Sequence, residues 1–151
     1  MSLELRREPW SAKTYPNQAK IAFPYQTETE RALVTGDFMK SILLTLIDAW
    51  QPIVGRVDTP GHRERWEKDK AGHGDRALRA GWMTYLAPPL AGRVAPPPGA
   101  IVEKTPSGGL LISATAERFD RGNPDHLTVN DDIQSSMAPL RQVEWPFQSA
   151  P

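Results

Sequence analysis

The run DFMKSILLTLIDAW, residues 37–50, constrains the fold more than any other stretch of this chain. Phe38, Met39, Ile42, Leu43, Leu46, Ile47 and Trp50 recur at steps of three and four residues. That spacing gathers them on one side of an α-helix, while Lys40, Ser41, Thr45 and Asp48 take the other side. A helix with such a stripe must bury it against another element, because an isolated helix of this length is marginal in water. The stripe therefore reads as core rather than as a cofactor-binding surface.

The rest of the chain offers strands for that helix to cover. PIVGRVD (52–58) and GWMTYLA (81–87) are short runs of branched and aromatic residues, and both read as strands. AIVEK (100–104) and LLISAT (110–115) flank TPSGG (105–109), so this part reads as a β-hairpin with glycines available where a positive φ is needed. The two glycines do not form a phosphate-binding loop, because no Gly-Lys-Ser/Thr opening a helix follows them.

Further helices announce themselves by their caps. TETE (27–30) has the Thr-x-x-Glu spacing of a capping box, and PPLAGRV (88–94) opens one or two turns with proline before APPPG (95–99) stops them. In NPDHLTVNDDIQSSMAPL (123–140), Asn123 suits the N-cap and Pro124 the first helical position, with Asp125 at the positive end of the dipole. Val129, Ile133, Met137 and Leu140 are the expected core face, and Pro139 the stop.

Helix, strand, strand, short helix, hairpin, helix describes an α+β protein: an antiparallel sheet with helices packed mainly on one face. Residues 31–147 are expected to form a single domain. Residues 1–30 are expected to be an irregular amino-terminal segment, with only KIAFPY (20–25) strand-like and held at an edge by Pro24; residues 148–151 are a tail. One core suits 151 residues, and the fifteen prolines imply long irregular connections.

Charge and composition then remove function classes. The net charge is zero, which argues against binding nucleic acid or an anionic membrane directly. Residues 31–100 carry ten Lys/Arg against seven Asp/Glu, whereas residues 101–151 carry four against seven, so the carboxyl-terminal third is mildly acidic. There is no cysteine, hence no disulfide and no thiolate metal site. No apolar run has a membrane-spanning length, and MSLELRREPW lacks the apolar core of a secretory signal, so a cytosolic location is expected.

Candidate chemistry is thin. His62 and His73 lie eleven residues apart in a charged loop, unlike a helical zinc pair. His126, in the first turn of a helix, could act as a general base with Asp120 or Asp125, which would make the chain a small metal-dependent hydrolase. Against that, no nucleophile, base and oxyanion hole assemble. The carboxylates Glu117, Asp120, Asp125, Asp131 and Asp132, with Glu103 nearby in sequence, read first as a solvated face and second as an acidic surface for a basic partner. Trp66, within HRERWEKDK, reads as an exposed interface anchor. No cofactor is expected.

LIDAWQPIVGRVDTP (46–60), GWMTYL (81–86), GGLLISATAERFDRGNPDHL (108–127) and the closing PLRQVEWP (139–146), in this order, resemble the immunity protein 52 family of bacterial polymorphic toxin systems. The likeness covers roughly residues 38–146. It implies an α+β protein without enzymatic activity that binds and neutralises a cognate toxin encoded beside it. The partner so implied is a restriction-endonuclease-like nuclease, often delivered by a type VI secretion system. The likeness assigns no contact residues, and the carboxylates and Trp66 stand as partner-binding candidates on chemistry alone.

Overall fold

The computed structural model describes residues 1–6, 18–23, 26–60 and 78–142. Six strands form one antiparallel sheet in the order β2-β1-β3-β4-β6-β5. They are β1 (Ser2–Arg6), β2 (Gln18–Ala22), β3 (Val54–Asp58), β4 (Met83–Leu86), β5 (Ile101–Lys104) and β6 (Leu110–Ser113). The helices are α1 (Glu28–Leu33), α2 (Gly36–Trp50), α3 (Pro88–Ala91) and α4 (Pro124–Ser136), and a 3-10 turn at Ala138–Gln142 follows α4. The molecule is α+β, as its sequence pattern requires.

Helix α2 is the amphipathic run, capped by Thr35, whose hydroxyl accepts the Phe38 N–H. Met39, Leu43 and Ile47 are its buried line. Phe38, assigned to the core by its spacing, is exposed and meets Phe23 edge-on instead. The helix lies against the sheet at Gly55. A Cβ on Gly55 would stand 2.9 Å from Leu5 Cδ2 and 3.1 Å from Leu43 Cδ1, so only hydrogen there lets the helix approach this closely. Gln51 ends the helix in the left-handed conformation (φ 48°) and donates its N–H to the Ile47 carbonyl.

Strand β1 departs from the expectation of an irregular start. It is an internal strand between β2 and β3, with Leu3 and Leu5 fully buried. The period-two alternation of Ser2-Leu3-Glu4-Leu5-Arg6 is the signal for it, short enough to be lost among the surrounding charges. On the opposite sheet face Glu4 stands directly across from Arg56 and is ion-paired with it. Arg56 Nε lies 2.9 Å from Asp58 Oδ2 at an angle that makes an ion contact but no hydrogen bond. Strand β2 is the edge strand expected around residue 20, while Pro24 lies outside the described residues.

The capping box at α1 is present. The Thr27 hydroxyl accepts the Glu30 N–H, and the Glu30 carboxylate accepts from Thr27 and Gln26. Those two backbone donors, Thr27 first, hold the Glu30 carboxyl below the usual glutamate range. The hairpin is also as expected, with Thr105 N–H donating to Gly109 O across the turn and Gly108 at φ 84°. Strand β6 is wholly buried, but Ile101 and Val102 of β5 remain exposed.

Candidate partner-binding surface

The segment between β6 and α4 carries Glu117 and Asp120, and it is pinned at several points. The Trp82 indole N–H donates to Thr115 O at 3.0 Å, and the Arg118 guanidinium donates to Arg31 O at 2.8 Å at the end of α1. The segment also crosses the start of α2: a Cβ on Gly36 would sit 1.9 Å from the Ala116 carbonyl oxygen. Phe119 is buried beneath it. Glu117 and Asp120 therefore stand exposed on a loop whose backbone is held by neighbours from α1, α2 and the residue just ahead of β4.

His126 closes the same loop onto α4. Its Nδ1 accepts the Asp120 backbone N–H at 3.1 Å, and its ring lies 5.6 Å from that of Phe119. The Asp120 carboxylate turns elsewhere and accepts the Gly122 N–H at 2.8 Å. The Asp125 N–H is held by the Asn123 side chain at 2.9 Å, which is the N-cap expected for α4. On Nδ1, then, His126 meets a backbone amide and not a carboxylate orienter of the kind general-base catalysis uses.

Helix α4 and the turn after it bury more than the face their apolar residues suggest. Ile133, Met137 and Leu140 are in the core as expected, but Asn130 and Gln134 are buried with them, while Val129 is only half-buried. Gln134 Oε1 accepts the Ala80 N–H at 2.8 Å, and Nε2 donates to Leu78 O at 3.0 Å. Asn130 Nδ2 donates to Gly81 O at 2.8 Å. The two amides occupy backbone groups just ahead of β4, so burial costs them no hydrogen bond. The helix ends at Ser136, and Pro139 falls within the 3-10 turn beyond it.

Helical spacing sorts the acids. Asp125, Val129 and Asp132 follow an i, i+4, i+7 spacing and share one side of α4. Val129 places that side next to residue 99, since its Cγ2 lies 3.3 Å from where a Gly99 Cβ would be. Asp125 and Asp132 are exposed. Asp131 is turned about 100° around the helix from Asp132 and is half-buried. Glu103 is already ion-paired with Lys40 at 2.8 Å. The five candidate carboxylates thus divide among the loop (Glu117, Asp120), one side of α4 (Asp125, Asp132) and another (Asp131).

Trp66, His62 and His73 lie outside the described residues. Among the described residues, no group of three or more His, Asp or Glu side chains could hold a metal ion, and no helix is long and apolar enough to cross a membrane. Sequence reasoning missed Asn130 and Gln134. Their only signal was polarity at positions in phase with Ile133 and Met137. It also treated β5 as an ordinary hairpin strand.

A family model described as immunity protein 52 matches residues 11–140. The match begins well ahead of the region in which the motifs carry the likeness. Among curated proteins, none matches the chain.

Proposed function

The chain belongs to the immunity protein 52 family, and we propose from that membership that it protects its cell by binding and neutralising one cognate toxin encoded beside it. The family match over residues 11–140 is the observation that carries this reading. The protein acts without chemistry of its own, as a stoichiometric inhibitor in the cytosol.

We further propose that the toxin is a nuclease domain, of the restriction-endonuclease-like kind delivered by type VI secretion. A nuclease holds DNA phosphates in a cationic groove, so its inhibitor gains from presenting carboxylates to that groove. Exposed Asp125 and Asp132 on one side of α4, with Glu117 and Asp120 on the adjoining loop, support an acidic contact of this type. Asp131 stands further round the helix and belongs to the rim. Trp66 is the proposed anchor should inhibition work away from the nuclease centre.

The test is co-expression. The product of the adjacent reading frame, produced alone, should stop growth and degrade cellular DNA, and this chain should restore growth and co-purify with it. Rescue without DNA damage in the unprotected cells would retain the immunity function and remove the nuclease.

A further inference from the structure

Strand β5 is one of the two outer strands of the sheet, opposite β2, and its outward edge is defined residue by residue. Thr105 donates its N–H to Gly109, and Ala114 on the far side of β6 donates to Trp82. Antiparallel ladders alternate, so Ile101 and Glu103 bond inward to β6, while the N–H and C=O groups of Val102 and Lys104 point away from the sheet. Among the described residues, none pairs with that edge. The side chains are open as well: Ile101 is 40% exposed on one sheet face and Val102 is 44% exposed on the other, beside a fully buried β6.

We propose that this edge receives an extended segment of the toxin as a seventh strand. The proposal rests on the immunity reading above and names its contact. Charge along the edge describes the segment. Lys104 is exposed at the hairpin end, Ile101 and Val102 are apolar in the middle, and the acid-bearing side of α4 adjoins residue 99 at the other end. The complementary strand has an acidic residue opposite Lys104, an apolar residue opposite Val102, and basic residues where it runs on past Ile101 toward Asp125 and Asp132.

A second copy of this chain fits less well. The two-fold register that uses all the outward groups pairs Val102 with Lys104 of the copy. That register sets Glu103 directly against its own equivalent, with Cα atoms about 4.5 Å apart in a narrow pair. Two registers avoid this clash: one keeps only the Val102 pair and leaves Lys104 opposite Ala100, whose N–H is already given to Pro97 O, and the other sets Lys104 against its own equivalent with Val102 opposite Pro106, which has no N–H.

Val102→Pro is the discriminating variant, because it deletes an outward N–H and leaves the ladder to β6 intact, as proline on an edge strand does. With the purified product of the adjacent reading frame as probe, Val102→Pro should keep its circular dichroism and weaken binding by a factor on the order of 100. Lys104→Glu, at an exposed position, should weaken binding more at low salt than at high salt. In the wild-type complex, amide exchange at Val102 and Lys104 should slow, a readout that needs no variant. Tight binding by Val102→Pro with unprotected amides at both positions would overturn the edge contact and leave the immunity function standing. A wild-type chain that does not bind the probe at all would instead overturn the immunity reading. A wild-type dimer that Val102→Pro converts to a monomer would assign the edge to a second copy and overturn the proposal.

Discussion

Gln134 holds Ala80 as a neighbouring strand would. Its side-chain oxygen accepts the Ala80 N–H at 2.8 Å while its amide nitrogen donates to Leu78 O at 3.0 Å, two residues earlier. One buried glutamine thus supplies a donor and an acceptor to the backbone leading into β4. Gln134→Leu keeps the volume but leaves the Ala80 amide without a partner. It should cost about 1–3 kcal/mol, seen as a lower midpoint in urea unfolding with an unchanged slope. An unchanged midpoint would show that water or a rearranged backbone replaces the amide.

Gly55 marks the closest approach of α2 to the sheet. Gly55→Ala would push a methyl group against Leu5 and Leu43, and should destabilise by about 1–3 kcal/mol through overpacking. Thermal unfolding measures this. Because Leu5 belongs to β1, the variant also reports whether β1 is packed as an internal strand: stabilisation by the added methyl would contradict that placement.

Asn123 caps α4 through the Asp125 N–H. Asn123→Ala should cost about 1 kcal/mol and lower the melting temperature, while the folded fraction still binds the toxin. Lost binding at unchanged stability would make the loop a recognition site in its own right.

Charge reversal separates the acids. Asp132→Lys should slow association with the toxin at low ionic strength, and the effect should fade as salt screens it. Asp131→Lys, round the helix from that side, should slow it less. Equal association rates for wild type and Asp132→Lys at low salt would remove the acidic contact.

Much of the fold was legible along the chain because it depends on neighbours in sequence. The α2 stripe, the Thr27–Glu30 capping box, the Asn123 cap, the five-residue turn of the hairpin and strands β3, β4 and β6 all follow from local spacing and turn chemistry. The family likeness was legible for the same reason, since its motifs are contiguous.

Tertiary structure decided what pairs and packs across distance. Ser2–Arg6 carries an alternation too short to read alone, and it becomes an internal strand because β2 and β3 pair with both of its edges and α2 covers the face bearing Leu5. The buried face of α4 also takes in Asn130 and Gln134, whose side chains hydrogen-bond the backbone at 78–81, a pairing no helical periodicity encodes. Strand pairing also left β5 at one edge of the sheet with Ile101 and Val102 exposed, since a strand's position in a sheet is set by its partners and not by its own residues.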